Sequence, residues 1–113
     1  VGYELARLNK NLEEAESMIR LALQLDPKNP SYLDSLAWVY YRMGRLSKAE
    51  EILKDVVAKV PDNGEIFFHL ACVLRRMNKH KAAALYFGRA LELEKSAKNR
   101  SEYKDEWKRI TPD

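Results

Sequence analysis

Apolar residues recur at intervals of three and four along almost the whole chain, which is the spacing of one helix face. The stretch 30–63 shows it most plainly. Leu33, Leu36, Ala37 and Tyr40 form one stripe, and Ala49, Ile52, Leu53, Val56, Val57 and Val60 form a second after a break at 43–45. Pro61 stops the run, because its ring and missing N–H cannot continue a helix. Asn29 and Asn63 are placed to cap the helices that follow them, and Pro30 takes the favoured first helical position.

Shifting the chain against itself by 34 residues superimposes these stripes. Ala15, Met18, Ile19, Ala22 and Leu23 fall on Ala49, Ile52, Leu53, Val56 and Val57, and then on Ala83, Tyr86, Phe87, Ala90 and Leu91. Leu33, Leu36, Ala37 and Tyr40 fall on Phe67, Leu70, Ala71 and Leu74, and Pro27 falls on Pro61. A period of this length signals stacked helical hairpins. At the front, Gly2 matches Ala37 when a turn at 9–11 carries one extra residue, which predicts a truncated first repeat. At the back, Lys95 stands where the earlier repeats have Pro, predicting that the preceding helix runs past Glu94 to a break near 96–99. Tyr103, Trp107 and Ile110 then line one side of a final amphipathic helix.

The residues Leu33, Leu36, Ala37, Tyr40, Ala49, Leu53, Val56 and Pro61 give the pattern a resemblance to the tetratricopeptide repeat, with Val56 where the family has Ala. The following repeat supplies Phe67, Leu70, Ala71, Leu74, Ala83, Phe87 and Ala90, so the resemblance runs from Gly2 to about Ser96. It implies an all-α solenoid of stacked antiparallel helix pairs. The expected organisation is a repeat array over 1–98, divided into a truncated repeat 1–29 and repeats 30–63 and 64–97, then a capping helix and tail over 99–113. Small residues fit the closest helix approaches, pairing Ala37 with Ala49, Ala71 with Ala83 and Gly2 with Ala15. The final helix is expected to cover the last repeat. The N-terminal end has no equivalent cover, and the chain opens without Met inside an apparent helix, so further repeats before Val1 are expected.

In this family the first-helix residues outside the core stripe line a concave groove for partner peptides. Carried over by position, the groove is expected to contain Tyr3, Arg7, Asp34, Trp38, Tyr41, Arg42, Phe68, Cys72, Arg75 and Arg76. Arg7, Arg42 and Arg76 occupy one equivalent position, and Tyr3, Trp38 and Cys72 another four residues earlier. Guanidinium groups fork onto carboxylates and stack on rings, so a ladder of them suits an acidic peptide. An arginine near a helix end also bonds the last carbonyls and complements the dipole, and both readings stand. The family's clamp for chaperone C-termini uses Lys and Asn, whereas Asp34 and Trp38 hold two of those places, so a chaperone adaptor is not expected.

Composition narrows the remaining classes. Of the 113 residues, 46% are hydrophobic and 33% charged, with four Gly and four Pro, which suits a soluble helical domain with a core. Twenty basic and seventeen acidic residues give a net charge of +3, too balanced to point to nucleic acid. No apolar run reaches transmembrane length and no signal core is seen, so membrane insertion is not expected. The lone Cys72 forms no internal disulfide and mildly favours a cytoplasmic setting, although an upstream segment could carry an address.

The sequence has no phosphate loop, nucleophile elbow or paired acid motif, so no enzyme activity and no cofactor are expected. His69 and Cys72 are three apart on one helix, but no second pair completes a metal site. His80 falls in a turn, and Glu13, Glu14, Glu50 and Glu51 are expected to face solvent. The leading reading is a non-catalytic scaffold that holds a peptide or helix of a partner protein. The alternatives are a homo-oligomer formed through the uncapped N-terminal end, and a weak single-stranded nucleic-acid binder using the same Arg and aromatic groove.

Overall fold

The computed structural model describes the backbone of residues 2–110 and the side chains of residues 11–110. Six helices follow one another: α1 (Gly2–Leu25), α2 (Pro30–Arg42), α3 (Leu46–Lys59), α4 (Gly64–Arg76), α5 (His80–Leu93) and α6 (Ala97–Arg109). Among the described residues there is no strand, and the fold is an all-α solenoid of successively packed helices.

Local chemistry sets most of the boundaries. Asn29 and Asn63 cap α2 and α4 as expected, their side-chain oxygens accepting from the N–H groups of Tyr32 and Ile66 at 3.1 Å. α2 ends in a left-handed Gly44 with φ +84°, and α4 ends in Asn78 with φ +63° at the equivalent position. In both turns the same pair of bonds closes the helix. Gly44 and Arg45 donate to the carbonyls of Tyr41 and Tyr40, and Asn78 and Lys79 donate to those of Arg75 and Leu74.

Two expected boundaries differ. α5 does not run past Glu94 but stops at Leu93, because Glu94 is extended and both its ends serve α6. Its carboxylate accepts from Asn99 Nδ2 at 2.7 Å and its carbonyl from Arg100 at 2.5 Å, while Ser96 caps α6 through the N–H of Asn99. The turn expected at 9–11 is absent, since α1 is one continuous helix of 24 residues. No Gly or Pro interrupts it there, and Leu8, Leu12, Ala15 and Ile19 keep the helical spacing straight through. Gly2 and Ala15 therefore lie about 20 Å apart along one helix and form no small-residue contact.

The core lies between the helices of the array. Ala37, Ala49, Ala71 and Ala83 are completely buried, as close helix approach requires, and Leu53, Leu70, Val73 and Leu74 fill the space around them. α1 packs on α2, α2 on α3, α3 on α4 and α4 on α5. The first helices also meet one another at a constant offset of 35 residues: Asp34 bonds His69, and Arg76 bonds the Tyr41 carbonyl. A constant offset means that α2 and α4 run parallel. Arg75 reaches the Ile110 carbonyl at the same offset, so α6 lies on α4 as the first helix of a further repeat would.

Gly64 opens α4 where it presses on the end of α5. A Cβ there would meet the Ala90 carbonyl oxygen at 3.0 Å and the Glu94 nitrogen at 3.2 Å. Glu50 is not merely solvent-facing as expected. It accepts from Lys79 at 2.8 Å and lies 3.2 Å from Lys54, tying α3 to the turn before α5.

Candidate functional site

The face shared by α2 and α4 carries a continuous strip of polar and aromatic groups. Trp38 lies at its centre, half-buried. Its ring stacks on Tyr41 with centroids 4.6 Å apart and lies 4.3 Å from the His69 imidazole of the next repeat. His69 Nδ1 is 2.7 Å from Asp34 Oδ1, and Glu65 Oε1 is 3.9 Å from His69 Nε2. At the other end, the Arg76 guanidinium sits 5.0 Å over the Tyr41 ring and donates to the Tyr41 carbonyl at 3.0 Å. Arg42, one turn after Trp38, is exposed on the same helix face.

The strip is thus acidic near Asp34 and Glu65 and basic near Arg42 and Arg76, with an aromatic middle. Burial pushes the Tyr41 phenol up to about 12, so it remains neutral and its ring serves as a platform for both neighbours. No catalytic pairing of nucleophile and base is formed by these groups. They offer aromatic contact area, a forked cation and two carboxylates.

Of the ten residues expected in the groove, Asp34, Trp38, Tyr41, Arg42 and Arg76 fall on this strip. Three others do not. Phe68 is buried, its ring stacked on Tyr103 at 4.3 Å and tilted against Phe87. Cys72 is fully buried, and desolvation raises its thiol far above the usual range, which makes it unreactive. Arg75 lies 4.6 Å over the Trp107 ring and bonds the Ile110 carbonyl. Subtracting the core stripe of α4 left these three as groove residues, but the aromatic face of α6 covers α4 there. The side chains of Tyr3 and Arg7 lie outside the described residues, and their alignment with Trp38 and Arg42 assumed the turn that α1 does not make.

Arg76 and Arg75 do bond terminal carbonyls, but those of the preceding and following first helices rather than of their own. His69 was not assigned to the groove from sequence. The usable signal was its offset from Asp34, one residue longer than the 34-residue period, which places the two on facing sides of neighbouring first helices.

Known proteins resemble the chain in both sequence and fold. Two family profiles described as tetratricopeptide repeat match residues 6–70 and 64–96. A TPR repeat-containing protein of Pseudomonas aeruginosa is 39% identical over 70 residues, covering 62% of this chain and 12% of that protein. Tetratricopeptide repeat protein 7A of Homo sapiens is 34% identical over 93 residues, covering 82% of this chain and 11% of that protein. The chain therefore spans only about an eighth of the length of these relatives. The crystal structure of the Sgt2 TPR domain from Aspergillus fumigatus superimposes with a TM-score of 0.72 at 22% identity, covering 93% of this chain and 74% of that one.

Proposed function

Because this chain belongs to the tetratricopeptide repeat family, whose fold mediates protein–protein interaction, we propose that it is a non-catalytic scaffold holding a segment of a partner protein. The strip along α2 and α4 is the site. The observation that supports this reading is the half-buried Trp38 between Tyr41 and His69, an aromatic surface joined to charge at both ends. Tyr and Trp give large contact area at low entropic cost and are frequent anchors of interfaces. A peptide or helix with an apolar anchor over Trp38 and a carboxylate beside Arg42 fits that arrangement.

Titration of fluorescently labelled peptides, acidic and neutral, with and without an apolar anchor, tests this. The acidic anchored class binds best, Trp38→Ala weakens it about tenfold or more, and Arg42→Ser weakens it less. Affinity unchanged in both variants removes the strip from the account.

A second reading, self-association through α1, is supported by its outer face, where Met18, Leu21 and Leu25 are 71%, 61% and 91% exposed. Molecular mass measured across a concentration series separates it from the first. A monomer throughout, indifferent to Leu21→Ser with Leu25→Ser, excludes self-association. Single-stranded nucleic acid is the weaker alternative at a net charge of +3, and binding that falls steeply with salt for RNA but not for peptides would favour it.

A further inference from the structure

At the acidic end of the strip, the ligand-type atoms of Asp34, Glu65 and His69 lie within 4.8 Å of one another. The three are brought together by the fold, Asp34 from α2 and the other two from successive turns of α4. A carboxylate only accepts, so the 2.7 Å contact with Asp34 Oδ1 makes His69 Nδ1 the donor. In the neutral imidazole this places the lone pair on Nε2, directed away from Asp34. Nε2 faces Glu65 Oε1 across 3.9 Å, too far for a hydrogen bond.

Two donors at about 2.0–2.2 Å from one tetrahedral ion stand roughly 3.4 Å apart, so a small movement of Glu65 closes the gap. Glu65 is free to make it, because its side chain is 65% exposed while those of His69 and Asp34 are 14% and 12% exposed. Trp38 against the imidazole further restricts the ring's orientation.

We propose that His69 Nε2 and the Glu65 carboxylate bind a divalent transition-metal ion of the zinc class, with Asp34 holding the imidazole from behind. The order carboxylate, histidine, metal is the one in which the rear carboxylate orients the ring and raises its basicity. An imidazole donor favours zinc, copper, nickel and cobalt over the oxygen-seeking magnesium and calcium. Water fills the remaining positions on the exposed Glu65 side. The sequence paired His69 with Cys72 as a candidate, but Cys72 is sealed in the core, and the acidic partners take its place.

Calorimetric titration of the full chain with zinc chloride tests the site, with circular dichroism of each variant to verify folding. The wild type shows one saturable event. His69→Ala abolishes it, Glu65→Gln weakens it about tenfold, and Asp34→Asn weakens it about 10–100-fold, the range found when a supporting carboxylate is lost. His80→Ala, which removes the other histidine, leaves it unchanged. Glu65→Gln alters an exposed side chain, so its loss of binding is not a loss of fold. Absence of a saturable event in the wild type, or binding that survives both His69→Ala and Glu65→Gln, overturns the proposal.

Discussion

Single residues show how strictly the array constrains chemistry at equivalent-looking positions. Gly64 and Gly88 both lie in helices, where alanine is ordinarily preferred by about 0.5–1 kcal/mol. At Gly64 the added Cβ meets backbone of α5 at 3.0 Å, whereas at Gly88 nothing lies within 4 Å. Urea denaturation should therefore show Gly64→Ala destabilising by about 1–3 kcal/mol and Gly88→Ala neutral or stabilising by up to about 1 kcal/mol. Tyr41 adds a pH dependence. Burial raises its phenol to about 12, above the ordinary value near 10, so folding holds that proton more tightly than the unfolded chain does. Its contribution is fully present below about pH 10 and is lost as pH rises toward 12. Tyr41→Phe should shift the alkaline unfolding midpoint upward, measured by circular dichroism.

At the scale of elements, the helices and their small-residue contacts were readable because periodicity, Asn caps and glycine turns act locally. The buried alanines and the capped starts of α2 and α4 lie where the pattern placed them. What crosses from one repeat to the next was not readable. A 34-residue alignment places Phe68 and Cys72 on the free face of α4, and only the position of α6 shows that face to be covered. α1 misled in the other direction, because a repeat template imposed a turn at 9–11, whereas the apolar stripe through Leu8, Leu12, Ala15 and Ile19 continues as one helix.

α6 is held by aromatic stacking, Tyr103 on Phe68 and Trp107 on Phe87 at 4.2 Å, with Arg75 over the same Trp107 ring. Trp107→Ala should cost about 2–4 kcal/mol in urea denaturation, since it removes an aromatic stack and a cation–π contact together. Lys104→Ala, on the exposed side of α6, should cost less than about 0.5 kcal/mol.

At the scale of the whole molecule, α2, α4 and α6 form a parallel row of first helices, and the row has two different ends. Between α4 and α6 the side chains are sealed into aromatic packing. Between α2 and α4 they meet as a hydrogen-bonded pair and an aromatic stack, with Asp34 and Tyr41 buried, Trp38 and His69 half-buried, and Arg42 and Glu65 exposed at the edge. No helix among the described residues is long and apolar enough to cross a membrane. The 34-residue pattern placed Asp34, Trp38, Tyr41 and Arg76 at the seam between α2 and α4 but not His69, which meets Asp34 at an offset of 35 residues.

The most direct test of partner recognition at the seam between α2 and α4 is a backbone amide NMR titration of the full chain with the tightest-binding acidic, apolar-anchored peptide. The expected perturbations centre on Asp34, Trp38, Arg42, Glu65 and His69, leaving Met18, Leu21 and Leu85 unmoved. Perturbations confined to the outer faces of α1 and α5, with the amides around Trp38 unchanged at saturation, would contradict it.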